Sequence, residues 1–180
     1  MDRRVVSVLA VATLLVVAGL LAVAGGGGIG LFDGGGTGPG DDRERACVTI
    51  VDAESGAVEG RVEAAVADTP NERYRGLSGT DSLANGSGML FVFADESERS
   101  FVMREMNYPI DMVFVGADGR ITRIFHAPVE HDDSLTTYSA PAKWVLEVPI
   151  EWTTRHDVTA GDEVRIEYEC GNPSLGTRTT

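Results

Sequence analysis

Lysine is almost missing from this 180-residue chain: Lys143 is the only one, set against 28 acidic residues and a formal charge of −13. A surface of that sign repels nucleic-acid phosphate and anionic lipid, so the composition argues against a nucleic-acid partner. Cysteine is nearly as scarce, and two residues, Cys47 and Cys170, make a poor metal site by themselves. There is no Gly-x-Ser-x-Gly, which removes the serine-hydrolase elbow, and no Gly-Lys-Ser/Thr, which removes the phosphate-cradling loop. No segment repeats. Acidic excess with so little lysine and many small residues suits a high-salt medium, where screening removes self-repulsion, so the expected source is halophilic and archaeal.

What is present first is an apolar run. Arg3-Arg4 precedes twenty residues, Val5 to Ala24, broken only by Ser7, Thr13 and Gly19. As a helix it would rise about 30 Å, enough to cross a bilayer, while Ala22-Val23-Ala24 reads as a cleavage site and the paired arginines as an export signal. Residues 1–24 are therefore expected to be a signal peptide or membrane anchor, and the rest to be extracellular or anchored facing outside. Residues 25–46, dominated by glycine, read as a tether. The folded domain is expected over 47–170, with a loose tail at 171–180.

Within the domain, Val58, Gly60, Val62, Ala64 and Val66 alternate with Glu59, Arg61 and Glu63, the two-residue period of a half-buried strand. Thr69-Pro70-Asn71-Glu72 has the form of a capping box and predicts a short helix stopped at Gly76. Met89 to Phe93 and Phe101 to Met103 read as two strands around a charged turn at Asp95 to Glu98. Asp118-Gly119 predicts a hairpin between strands at 112–115 and 120–125. Further strands are expected through Trp144 to Val148 and Val164 to Tyr168, with a helical turn at 151–157. The expected fold class is mainly β, with one or two short helices, as a small barrel-like or packed antiparallel sheet. On an exported chain Cys47 and Cys170 are expected to pair, and Asn85-Gly86-Ser87 is a glycosylation sequon in a turn.

Ala67-Asp68-Thr69-Pro70-Asn71-Glu72-Arg73, Arg75-Gly76-Leu77, Gly88-Met89-Leu90-Phe91, Phe101 with Met103, Pro109 with Asp111, Asp118-Gly119-Arg120-Ile121, Tyr138, Val145-Leu146-Glu147 and Gly161-Asp162 follow in order. This series resembles the DUF192 (UPF0127) family over roughly Val62 to Tyr168. The resemblance implies a compact, mainly β domain, often behind an export signal, with no established activity and no catalytic residues to carry over. Three positions depart from the family's pattern: Ser78 stands in place of Met, Val102 in place of Trp, and Arg104-Glu105 in place of Lys-Asn. A pocket built there would differ in ligand preference.

Arg75, Arg104, Asp111, Tyr138 and Glu147 lie at or beside these motif positions and are the candidate ligand-binding set, as arginine, carboxylate and phenol together recognise a small molecule, glycan or cell-surface protein. The same residues read structurally would be buried ion pairs, with Asp111 binding turn amides. No cofactor is expected. The densest metal-ligand set is His126, Glu130, His131, Asp132 and Asp133, which suits a divalent ion but matches no zinc signature and reads equally as a solvated loop. Met89, Met103, Met106 and Met112 suggest a copper(I) site or, more simply, core filling. The alternative to a binding domain is a hydrolase or metal-dependent enzyme using Asp111 and Glu147 or the His126 to Asp133 loop.

Overall fold

The computed structural model describes residues 43–130, 134–168 and 170. The export or anchor segment, nearly all of the tether, the tail and His131, Asp132 and Asp133 lie outside the described residues. In chain order the elements are β1 (Arg45–Val51), β2 (Val58–Ala67), α1 (Pro70–Arg75), β3 (Ser87–Phe101), β4 (Ile110–Val115), β5 (Ile121–Ala127), β6 (Tyr138–Pro149), α2 (Trp152–Arg155) and β7 (Glu163–Tyr168).

The seven strands make one sheet in the order β5-β4-β6-β3-β2-β1-β7. It curls until its two edges touch at one corner, where Arg120 bridges Glu163 and the Ile121 and Val164 amides donate to the Asp162 and Gly119 carbonyls at 2.9 and 2.8 Å. The sheet is not closed beyond that corner. The barrel-like expectation therefore stands in form, with one exception to antiparallel pairing. β2 and β3 run parallel, Glu63 opposite Ser87 through Ala67 opposite Phe91, because α1 carries the chain back to the same edge before β3 starts.

Strand alternation sorts the apolar residues into two cores. Inside the curl lie Val48, Ile50, Val62, Val66, Leu90, Val113, Leu146, Val148 and Trp152, so every strand but β5 and β7 contributes one of these, and Ile121 and Val164 supply those two. On the outer face lie Met89, Phe91, Ile110, Met112, Phe114 and Val145, covered by Leu77, Met103 and Met106. Gly60 is required by the first core: a Cβ there would stand 2.6 Å from the Trp152 ring.

The capping box forms as its residues dictate. Thr69 Oγ1 accepts from the Glu72 amide at 3.3 Å, Glu72 accepts from the Thr69 amide at 3.0 Å, and Gly76 ends α1 at φ +52°. One strand expectation needs correction. Residues 87–101 are a single strand: Ser97 and Glu98 pair with Ala142 and Pro141 of β6, and the ladder is interrupted by a bulge between Val92 and Ser97 rather than by a turn. Met103 lies beyond that strand. Cys47 and Cys170 are joined, linking β1 to a residue two positions beyond β7 across a sequence separation of 123.

Candidate functional site

The outer core is not fully roofed. Between the end of α1 with its following residues and the segment that leaves β3 there is a cleft of about 220 Å³. Arg73, Arg75 and Ser78 stand on one side, Ser100, Phe101 and Arg104 on the other, and Ile110 and Glu147 at its base.

Glu147 defines the chemistry here. It sits in mid-sheet on β6, opposite Met89 on one side and Met112 on the other, on the same face as Val145. Its residue exposure is 5%, and among the described residues no donor or cation reaches its carboxyl group. Burial alone pushes its pKa from 4.5 up to about 8. At neutral pH it is a carboxylic acid, with one O–H to donate and no charge to balance.

The walls are held before any ligand arrives. Ser78 Oγ donates to the Arg104 carbonyl at 2.8 Å, the Gly79 amide donates to the Glu105 carbonyl at 3.1 Å, and the Thr80 and Tyr108 hydroxyls are bonded. Glu105, between Arg104 and Met106, is held at φ +53°, a left-handed conformation costly for a residue with a Cβ. The Arg104 guanidinium donates to the Tyr74 carbonyl and stacks 4.1 Å above the Tyr74 ring. Arg73 donates to the Asp68 and Val92 carbonyls and lies over Phe93. Arg75 is exposed and makes no ion pair. Tyr74, 74% exposed, stands at the rim.

Of the five candidate ligand-binding residues, the fold brings three together: Arg75, Arg104 and Glu147. Asp111 goes elsewhere. It is opposite Val148 in the ladder, one position out of step with Glu147's partner Met112, so its side chain projects from the opposite face of the sheet. There it is wholly buried and accepts from the Thr153 amide at 2.9 Å, the Thr153 hydroxyl at 2.7 Å and the Glu151 amide at 3.2 Å. It thus caps α2, whose own N-cap residue Glu151 supplies no side-chain bond. The turn-amide reading of Asp111 is what the geometry displays, and an Asp111–Glu147 acid and base pair is ruled out by their opposite faces. Tyr138 pairs with Phe101 in the ladder and packs 5.5 Å from the Phe125 ring, outside the cleft lining; burial raises its phenol pKa.

The His126 to Asp133 set is divided where it is described. His126 Nδ1 lies 2.7 Å from Asp111 and Glu130 accepts from the Thr136 amide at 3.1 Å, while 131–133 are outside the described residues. All four methionines are buried in the outer core, and Met103 and Met106 reach the cleft. Asn85 is exposed in the turn before β3.

Two features escaped the sequence reading. Arg73 lines the cleft, and its place two residues before Arg75 on a short helix was the available signal. The other is a carboxylate triad, Asp52, Glu59 and Asp162, whose ligand atoms lie within 4.8 Å of one another. Burial first, and then the charge of Asp162, pushes Glu59 up to about 7. No sequence signal joins residues so far apart. Asp162 is committed to the Thr159 amide at 2.6 Å and the Ala53 amide at 3.3 Å, so it also organises the two turns that meet there.

The one-sheet, curled β domain with an uncharacterised cleft is the class this geometry defines. The chain belongs to the DUF192 family, described as "Uncharacterized ACR", whose profile matches residues 51–166. Two crystal structures share the fold at a TM-score of 0.61. A putative transcription regulator from Sinorhizobium meliloti is 28% identical, the match covering 68% of this chain and 93% of that one. A protein of unknown function from Novosphingobium aromaticivorans is 26% identical, over 72% and 91% of the two chains. No curated protein matches.

Proposed function

We propose that this chain is an exported, non-catalytic domain that binds a small molecule in the cleft over Glu147. The observation that carries the reading is a buried carboxyl group with no protein partner, opening on a preformed, arginine-lined cleft. The Glu147 carboxyl group has no hydrogen-bond partner among the described residues and lines the cleft, so its O–H is available to a ligand atom. Support for binding rather than catalysis comes from what surrounds it. Among the described residues no second carboxylate lines the cleft; Ser78 Oγ is engaged with a carbonyl and Ser100 Oγ with Ser139 at 2.8 Å, and neither meets a base.

The cell exterior is the proposed location. The N-terminal apolar run, the joined cysteines and the exposed Asn85 sequon agree with it. The net charge of −13 with a single lysine supports a high-salt, archaeal-type setting and sets this chain apart from a nucleic-acid binder, whatever role the Sinorhizobium protein has. A thermal-shift screen in high salt against organic acids, sugars, amines, cell-wall peptides and divalent metals tests the reading. A concentration-dependent rise that is lost in Glu147→Leu is expected. Protection by metals alone, unchanged in that variant, would move the site elsewhere.

A further inference from the structure

The cleft differs in charge from the rest of the molecule. Elsewhere on the described surface four arginines sit beside acids, Arg45 with Glu63, Arg99 with Asp95, Arg155 with Glu151 and Arg165 with Glu163, while Arg61 and Arg123 stand apart as single unpaired arginines. The three arginines of the cleft have no carboxylate. Arg73 and Arg104 are fixed by carbonyls and rings, and Arg75 is unpaired. In a chain of charge −13, the described residues that line this space include three arginines and, with Glu147 holding its proton, no carboxylate.

Resting on the binding reading above, we propose that the cleft takes a small organic acid as its anion. One oxygen of the anion accepts a hydrogen bond from the Glu147 carboxyl group, its charge meets Arg75 and Arg104, and its apolar part lies on Phe101, Met103 and Ile110. A planar carboxylate suits a guanidinium edge and accepts from an O–H at the same time. The cleft volume of about 220 Å³ is below the roughly 300–1,000 Å³ of drug-sized sites, so the ligand is small. An amine fits poorly, since it would approach three guanidinium groups and require Glu147 to ionise where it is buried. A sugar would leave the arginine charges unused.

The hydrogen bond makes binding depend on the Glu147 proton. The polar groups that line the cleft with it are Arg73, Tyr74 and Arg75 from α1, Ser78 just after it, Ser100 from β3 and Arg104 from the segment between β3 and β4, while β4 offers only Ile110; Tyr108 lies near enough that, after burial, the Glu147 charge raises its phenol pKa.

The test is titration calorimetry of the full-length protein with three matched probes, benzoate, benzamide and benzylamine, at fixed ionic strength. Benzoate should bind at least tenfold more tightly than either, and its affinity should fall about tenfold per pH unit above about pH 8. Glu147→Gln keeps a donor and cannot ionise, so it should retain benzoate binding and lose that pH dependence; Glu147→Leu should lose binding. Arg75→Gln with Arg104→Gln should weaken benzoate at least tenfold and leave benzamide unchanged, with circular dichroism confirming the fold. Equal affinity for benzamide or benzylamine overturns the anion inference and leaves the binding reading intact. So does failure of all three probes when a sugar or amine gives a thermal shift that depends on Glu147. If no ligand class depends on Glu147, both fall.

Discussion

Replacing Glu147 by Gln should remove a pH dependence from the stability of the whole domain. In the native state burial holds this carboxyl group at about 8, whereas an unfolded chain releases the proton near 4.5. Between those limits the native state binds one proton more than the unfolded state, so stability falls as pH rises. The contribution is fully present below 4.5 and is lost as the pH passes about 8. Each pH unit in that window is worth about 1.4 kcal/mol, so from about pH 5.5 to about pH 8.5 the parent should lose about 3 kcal/mol through this group alone. Gln matches the shape and cannot ionise. Glu59, at about 7, titrates in the same direction in both proteins and cancels from the difference. Urea unfolding of parent and variant at both pH values, in the same salt, measures it. The variant should gain about 3 kcal/mol on the parent across the range. A difference that stays constant with pH would mean that Glu147 is not held neutral, and would refute the account of the cleft floor.

Asp111→Asn should cost about 2–3 kcal/mol and speed amide exchange at Thr153, because the α2 amide and hydroxyl that Asp111 accepts lose a charged acceptor inside the core; hydrogen exchange with unfolding reads both. Reducing the Cys47–Cys170 bridge should lower the melting temperature, since a loop spanning a separation of 123 is worth on the order of 4–5 kcal/mol of chain entropy, and an unchanged melting point would sink that estimate. Glu105→Asn should stabilise by up to about 1 kcal/mol by easing the residue at φ +53°, measured by the same urea melts.

How much of this was readable depends on the range of each signal. The α1 capping box and the Asp118-Gly119 hairpin were legible because each is closed by residues within a few positions. Cys47 and Cys170 were legible as a pair because they are the two cysteines of a chain that reads as exported, two free thiols being the alternative. The single strand at 87–101 was misread because Asp95 to Glu98 look like a turn, yet a charged stretch at a bulge can stay extended when its neighbours pair with β6. The parallel β2–β3 pair and the Asp52–Glu59–Asp162 triad carry no local signature at all.

Asp111 and Glu147 mark that limit most sharply. Both are single carboxylates within apolar strands, and the sequence treats them as one kind of residue. The ladder places Asp111 opposite Val148 and Met112 opposite Glu147, and this offset of one residue puts the two acids on opposite faces. On the inner face Asp111 accepts from two amides and a hydroxyl at the start of α2, which it completes, and lies 2.7 Å from His126 Nδ1. On the outer face Glu147 meets no donor among the described residues, and burial leaves it neutral. A residue fully satisfied by the fold explains its own presence. Glu147, with no hydrogen-bond partner among the described residues, keeps an O–H to offer, and on that observation rests the proposed binding site on the outer face of the sheet, beneath the arginines.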